Sequence, residues 1–550
     1  MGEDVEGNCR EDTLRSPGSL GEAMGSVNGV QVKKSGTFTP PNLYTFCVID
    51  PHIFRAYDIR GKAESQITEE ACREIGLAFG HVLQNRYGGE NRHPTVALGR
   101  DARTHSPKFE AAMREGLVTM GCAVKMIGET PSPVNYFTIC NAALDAGVQI
   151  TASHNPKEDN GIKLQIRNAE SFSGEDLQDL QRWIQKQPVP SGSWVFTSVP
   201  HENFDAVTPY LKKVTSLIPL LQGLKVVVDF GNGIAGPVYG AALKKAGAEV
   251  ISLFEKPDGT FPNHIADPSN HETLKTLQET VRKEKAACGI AFDGDGDRVG
   301  FVDEEGRIIA PDYLLLLLAE DHLRRNPGSP IVYTVSMSSI LETEVKRLGG
   351  KPIMCPVGHS FVEHTMRRQG GQLGGEQSGH FFCGEEFYGH DDALVAALRI
   401  LSIFSQKKEK GGSVTLSGAP PAASSTRHGV YPELVEGLSM TERGGDEVSF
   451  SSLFSHFPKV YQSPEWRPHC PDEKKGEIIR SITDYFQKTY PCITIDGIRI
   501  DFGEGAWAGI RQSNTSPKIS VCMEARSREK LEEVESLVKN HLILYPDIGV

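Results

Sequence analysis

Short apolar runs alternate along this chain with segments of helical periodicity. Residues 95–98 read as a strand, 107–120 as a helix and 124–127 as the next strand. The alternation returns at 224–229, which a helix of small residues follows, then at 289–292, and at 330–335 ahead of another helix. Repeated strand and helix in this order is the pattern of an α/β domain, so several stacked α/β units are expected. The strands run into polar loops: Gly99-Arg100-Asp101, Asp229-Phe230-Gly231-Asn232-Gly233 and Asp293-Gly294-Asp295-Gly296-Asp297. Ligands of open α/β sheets sit outside the carboxyl ends of strands, which predicts that these loops converge on one cleft.

Two stretches break the pattern. Residues 1–45 are rich in Gly, Ser, Pro and acids without apolar periodicity and read as a disordered tail. Residues 411–446, with Pro420-Pro421-Ala422-Ala423-Ser424-Ser425 among them, offer little that could build a core and read as a flexible insertion or linker. Beyond it, 447–550 has apolar runs of its own and a helical stretch at 472–487, so it counts as a separate carboxyl-terminal domain.

Composition narrows the class. At 550 residues the chain exceeds what one core organises, and 39% hydrophobic with 23% charged residues is a globular balance. Spanning a bilayer takes about 20 apolar residues. The longest purely apolar run, 314–319, is far shorter, so no membrane partner is expected. A net charge of -13 argues against nucleic acid as a partner but leaves room for a small cationic pocket. The amino terminus carries Glu3, Asp4, Glu6, Glu11 and Asp12 and resembles neither a secretory signal nor a transit peptide. The 11 cysteines are scattered without CxxC pairs and read as reduced thiols; a cytoplasmic location is expected.

Four loops carry candidate chemistry. Thr151-Ala152-Ser153-His154-Asn155-Pro156 follows an apolar strand, and Pro156 forces a turn that should expose the Ser153 hydroxyl for attack. Alone, a turn serine bonding its own backbone is the commoner case. Asp293, Asp295 and Asp297 alternate with glycines that let the backbone curl, and so offer three hard oxygens to one divalent cation, with Mg²⁺ suited to a site that phosphate completes. An EF-hand is the competing reading, since Glu304 is twelfth from Asp293, but the sixth position demands Gly and holds Arg298. Arg298 beside the acidic loop suits a site that also holds phosphate. Gly375-Glu376-Gln377-Ser378-Gly379-His380 offers a carboxylate, a hydroxyl and an imidazole for sugar hydroxyls, and Arg511-Gln512-Ser513-Asn514-Thr515-Ser516-Pro517 reads as a phosphate cradle. Phosphoryl transfer on a sugar explains the four together.

These residues, with Ile53-Phe54-Arg55-Ala56-Tyr57-Asp58-Ile59-Arg60-Gly61, resemble the α-D-phosphohexomutase superfamily, and within it the phosphomannomutase/phosphoglucomutase group, over roughly 50–550. The resemblance implies an α/β fold of three similar mixed α/β domains, at 46–205, 206–308 and 309–410, plus a smaller carboxyl-terminal α+β domain, around a central cleft. It implies interconversion of hexose 6-phosphate and hexose 1-phosphate, the hexose being mannose, glucose or both. Phosphorylated Ser153 would give its phosphoryl group to the bound sugar monophosphate, and the hexose 1,6-bisphosphate would turn and return its other phosphate. Mg²⁺ would sit on Ser153, Asp293, Asp295 and Asp297, with Arg60, Lys163, His154 and Arg298 around the transfer. Tyr57, His359, Glu376, Ser378 and His380 would bind the sugar, and Arg511, Ser513, Asn514 and Thr515 the phosphate that is not reacting.

The chain departs from the family pattern at Ser336, where lysine is usual, and at Ala393, where Asp391-Asp392 is usually followed by glycine. Two alternatives stand beside this reading: a phosphoglucosamine mutase, and a protein that binds a sugar phosphate without turnover. The preferred hexose is left open by the residues, since discrimination at one hydroxyl depends on cleft geometry.

Overall fold

A computed structural model describes residues 49–89, 92–186, 201–409, 448–513 and 516–549. The expected tail at 1–45 and insertion at 411–446 lie outside the described residues, as do Asn514 and Thr515.

The first sheet runs Ile59–Lys62, Asp159–Ile166, Ala146–Ile150, Thr95–Arg100, Ala123–Glu129, His201–Asn203, with Glu170–Ser171 paired to Asp159–Ile166. The second runs Ile308–Ile309, Val299–Val302, Cys288–Phe292, Lys225–Asp229, Glu249–Leu253, and the third Lys351–Cys355, Pro330–Thr334, Leu373–Gly375, Phe381–Cys383. All three share one construction, in which parallel inner strands give way to an antiparallel partner on one side. The inner strands Ala146–Ile150 and Cys288–Phe292 are buried at every residue; Cys288–Phe292 therefore shows in the sequence as an unbroken apolar run, while Ala146–Ile150 is interrupted by Gln149, whose buried amide donates to the Thr130 carbonyl at 2.7 Å. The fourth sheet, Tyr461–Gln462, Ile519–Ala525, Ala506–Gln512, Ile498–Gly503, Cys492–Ile493, is antiparallel throughout.

This construction places the chemistry. In each of the first three sheets, the last parallel strand turns back into the antiparallel one through a short loop. Those loops hold Ser153, then Asp293, Asp295 and Asp297, then Glu376 to His380. Ser513 lies in the hairpin between Ala506–Gln512 and Ile519–Ala525. The first three motif loops are therefore hairpin connections of one topological kind, and the fourth joins two strands of an antiparallel sheet.

The second and third sheets share a continuous apolar core, which takes in the Leu314 to Leu318 run on the helix Pro311–Arg325 and Val134, Tyr136 and Phe137 on Ser132–Asn141. Phe450 stacks on Phe301 at 5.7 Å and meets Phe404 edge-on at 5.4 Å, so the chain packs on that core before it builds the fourth sheet. The fourth sheet has its own core, which takes in Ile478 and Ile482 of Asp472–Phe486, Val534 and Val538 of Arg528–Leu542, and Ile500, Ile510 and Val521 of the strands. Among the described residues no helix is long and apolar enough to cross a membrane.

The first and third sheets also meet through Glu363, on the helix His359–Gln369. Its Oε2 accepts the Ser171 N–H at 3.1 Å, while Arg367 reaches Oε1 and the Asn168 carbonyl. Burial pushes the Glu363 carboxyl up to about 7 against the partial relief given by Arg367. Its folded pKa thus exceeds the unfolded value, the folded state binds more protons between pH 4.5 and 7, and stability falls as pH rises through that window. Glu363→Gln keeps an acceptor for Ser171 and removes the titration. The gain in unfolding free energy of this variant over wild type, read by urea unfolding at a series of pH values from 5 to 8, should grow toward a limit on the order of 3 kcal/mol. Parallel profiles would show that the carboxyl ionises freely.

Candidate active site

Ser153 takes a left-handed backbone, φ 50°, a conformation that costs a non-glycine residue energy and persists only where its surroundings impose it. Here the surroundings do so through a chain of hydrogen bonds. The Ser153 N–H donates to Thr151 Oγ1 at 2.9 Å, and Thr151 Oγ1 donates to Asp101 Oδ2 at 2.8 Å. Ser106 Oγ and Arg103 Nε also donate to Asp101, at 2.7 and 3.1 Å. The rest of the Arg103 guanidinium holds the serine loop from below. One terminal nitrogen donates to the carbonyls of Pro156 and Asp159 at 2.6 and 3.0 Å, the other to those of Ser153 and Asn155 at 2.9 and 2.7 Å. Arg60 ties the loop from the other side, with bonds to Asp58 Oδ2 at 2.6 Å, the Ala152 carbonyl at 2.9 Å and Asn155 Oδ1 at 3.2 Å.

The expected exposure of Ser153 is not found: the residue is 2% exposed. The acidic loop packs directly on it, so closely that a Cβ on Gly294 would lie 2.4 Å from the Ser153 carbonyl oxygen. The hydroxyl instead donates to Asp293 Oδ2 at 2.6 Å and lies 3.1 Å from His154 Nδ1. Burial, with the charges of Arg298 and Arg60, keeps His154 well below the usual imidazole range and therefore neutral.

Asp293, Asp295 and Asp297 are fully buried, and one carboxylate oxygen from each lies within 4.8 Å of the others. Asp293 Oδ1 accepts the N–H groups of Gly296, Asp297 and Arg298 at 3.0 to 3.1 Å, which curls the loop around that carboxylate. Asp295 Oδ2 accepts Ser132 Oγ at 2.5 Å and Lys163 Nζ at 2.7 Å, and Lys163 also bonds Asp297 Oδ2. Burial and the neighbouring charges of Asp297 and Asp295 push the Asp293 carboxyl well above its usual range. The same burial opposes ionisation of Asp295 and Asp297, but Lys163 outweighs it and holds both below the carboxylate range, with His380 helping at Asp297. Lys163 in turn stays charged against its own burial because of those two carboxylates.

This donor set fits a small divalent cation. Its atoms are hard oxygens, the Ser153 hydroxyl is adjacent, and Asp295 Oδ1 is buried with no hydrogen bond, while Asp297 Oδ1 is buried and faces the His380 imidazole at 3.3 Å. Asp293, which no ammonium pairs, is the carboxylate whose charge such a cation would release.

The third loop meets the second edge to edge, as Arg298 and His380 form a β-bridge and Gly379, at φ 93°, lets the turn approach the Val299 carbonyl. His380 Nδ1 lies 2.9 Å from Glu376 Oε2 and from Ser378 Oγ, and its Nε2 is 3.3 Å from Asp297 Oδ1. Burial pulls the His380 pKa down, yet Asp297 and Glu376 push it up to about 10. His359 behaves oppositely, brought down to about 3 by burial and the facing His380 charge. Tyr57 packs edge-on against His359 at 4.8 Å, and Glu376 Oε1 accepts the Gly358 N–H at 2.8 Å.

A cleft of about 930 Å³ opens above these groups. Arg60, His154, Lys163 and Arg298 line its floor side; Tyr57, His359, Glu376, Ser378 and His380 line it as well, and Arg511 and Ser513 reach it from the fourth sheet. Ser336 lines it too, with its hydroxyl 3.2 Å from Thr334 Oγ1. Every expected site residue among the described ones thus adjoins this cleft or the acidic cluster beneath it. Sequence reasoning missed three supports. Arg103 and Ser132 carry no motif, and their roles depend on long-range contacts; Arg467, whose Nη2 is 3.1 Å from Ser513 Oγ, sits in an unpatterned segment before the helix Asp472–Phe486. Asp101 was legible only as part of a polar strand end.

Comparison with known proteins agrees with this architecture. Models of the phosphoglucomutase/phosphomannomutase family match in order: α/β/α domain I at 51–189, domain II at 208–306, domain III at 310–418 and the C-terminal domain at 466–541. The chain therefore belongs to the phosphoglucomutase/phosphomannomutase family. It is 36% identical over 491 residues to a phosphomannomutase/phosphoglucomutase of Pseudomonas aeruginosa, covering 89% of this chain and 95% of that one. A Neisseria gonorrhoeae phosphoglucomutase is 31% identical, with 88% and 96% covered. The crystal structure of a Burkholderia thailandensis phosphoglucomutase/phosphomannomutase family protein superposes with a TM-score of 0.76 at 30% identity, over 91% of this chain and all of that one.

Proposed function

We propose that this protein is a phosphohexose mutase that interconverts the 6- and 1-phosphates of mannose and glucose through a phosphoserine at Ser153 and a hexose 1,6-bisphosphate. The observation that carries the reading is the Ser153 hydroxyl, held in a strained turn and donating to Asp293 of a buried carboxylate triad, at the base of a cleft with cationic side chains at both the serine and the fourth sheet. Membership of the family and the relatives' names support it.

In the forward step the Oγ–P bond of phosphorylated Ser153 breaks as a bond forms from phosphorus to the free sugar hydroxyl. The hydroxyl proton leaves the sugar, and a proton returns to Ser153 Oγ. Neutral His154, 3.1 Å from that oxygen, is placed to pass it. Lys163, locked as an ammonium between two carboxylates, acts as charge rather than as base, and Arg60 and Arg298, which line the same cleft, add charge beside it. Mg²⁺, held by Asp293, Asp295, Asp297 and the serine oxygen, would offset the charge spread over the transferred group. Glu376, Ser378 and His380 offer a carboxylate, a hydroxyl and a charged imidazole to sugar hydroxyls; Tyr57 and His359 form the adjoining wall. Arg511 and Ser513, with Asn514 and Thr515 of the same segment, take the phosphate that is not reacting. The intermediate turns so that its two phosphates exchange places.

A coupled assay with glucose 1-phosphate and mannose 1-phosphate, primed with a trace of glucose 1,6-bisphosphate, tests the reading. Turnover of both should require Mg²⁺ and cease on chelation. Turnover of glucosamine phosphate instead would assign a phosphoglucosamine mutase, and no turnover by folded protein would favour a binding role.

A further inference from the structure

A hexose bisphosphate needs two anion sites in one cleft. The site at Ser153 is rich in cations. At the fourth sheet the supply is thinner. Arg511 lines the cleft there, but its Nη2 is 3.8 Å from Glu465 Oε1, so part of its charge is already answered. Ser336, which shares a small side cavity with Arg511, is neutral. Lys475 lies behind the loop and spends its ammonium on the carbonyls of Ser513 and Ser516 and on Asp472, so it fixes the loop rather than facing a ligand. Arg499, in the side cavity with Ser336 and Arg511, commits its Nη1 to the carbonyls of Val335 and Met337 and lies over the Trp507 ring. Lys459 lines the cleft just before the edge strand Tyr461–Gln462, over the Tyr461 ring. A phosphate dianion beside Ser513 would thus meet a partly neutralised Arg511.

We propose that Arg467 supplies the second cation and is a substrate-binding residue for the non-reacting phosphate; this rests on the mutase reading. The chain just before the helix Asp472–Phe486 runs antiparallel to the strand Ile519–Ala525, with Trp466 bridged to Val521 and His469 to Lys518. That pairing brings Arg467 beside the loop after Gln512, where Nη2 donates to Ser513 Oγ at 3.1 Å while the side chain stays exposed and lines the cleft. A guanidinium anchored through one N–H keeps others for phosphate oxygens, and pairs with them in the planar, two-point manner that an ammonium lacks.

Because the non-reacting phosphate is held alike in ground and transition states, removing this contact should raise KM and spare kcat. Arg467→Ala is expected to raise KM for glucose 1-phosphate and mannose 1-phosphate about 10- to 100-fold with kcat within about twofold, the range of a charge-assisted hydrogen bond. Arg467→Lys should recover part of that loss. Unchanged KM in Arg467→Ala, or a fall in kcat at constant KM, would overturn the proposal. Calorimetric titration with inorganic phosphate separates this result from the mutase reading itself. If wild type turns over no hexose phosphate, the reading fails, while weaker phosphate binding by Arg467→Ala would still place the anion site at Arg467 and equal binding would remove it.

Discussion

Ser153→Ala is expected to lower mutase turnover by at least about 10⁴-fold, the scale on which loss of a covalent nucleophile is felt. The substitution removes one buried hydroxyl that donates to Asp293 and leaves the arginine-held loop in place. Folding should therefore survive, and the loss should fall on kcat, with hexose phosphate still bound by the cleft. The coupled assay reads the rate, and calorimetry with glucose 1-phosphate reads the binding. Retention of more than a few per cent of wild-type turnover would show that the phosphoryl group is carried elsewhere.

The second large effect falls on a residue with no motif. Arg103→Met keeps the length of a fully buried side chain and deletes the five N–H donors that hold Asp101 and four backbone carbonyls of the serine loop and its exit. Breaking a buried ion pair from one side costs about 3–5 kcal/mol, and carbonyls left without partners add to it. Ser153 would also lose the constraint that keeps it at positive φ, and misplacement of a reacting group by about 1 Å costs on the order of 100-fold in rate. Urea unfolding and the coupled assay should both register the change. A variant within about 1 kcal/mol of wild type with normal turnover would contradict the pinning role.

Much of this was legible in the amino-acid sequence, because the inner strands are buried on both faces and write themselves as apolar runs. The runs at 95–98, 224–229 and 289–292 became Thr95–Arg100, Lys225–Asp229 and Cys288–Phe292, and the helix at 472–487 became Asp472–Phe486. The convergence of polar loops on one cleft was readable only in part: the acidic loop lies beneath the cleft, whereas residues 99–101 and 229–233 do not line it and instead support the serine and acidic loops from behind, through Asp101 on Thr151 and Gly233 against the carbonyls of Asp293 and Gly294. The common topological place of the three motif loops was not readable, because antiparallel pairing of Val299–Val302 or Phe381–Cys383 depends on which strands become neighbours. Nor was the burial of Ser153, which follows from Gly294 lying against its carbonyl from a loop 140 residues away in the chain. Arg103 and Ser132 escaped for the same reason: single polar residues acquire meaning only when long-range packing gives them partners.

Mutase turnover by this site requires above all a phosphoryl group carried by Ser153. Incubating the protein with glucose 1,6-bisphosphate labelled with ³²P, then mapping label by peptide mass spectrometry and chasing with unlabelled glucose 1-phosphate, tests this directly. Label should appear on the peptide containing Ser153, be absent from Ser153→Ala, and pass to sugar during the chase at a rate that matches turnover. Mutase turnover with no label on Ser153, or label that the chase leaves in place, would contradict it.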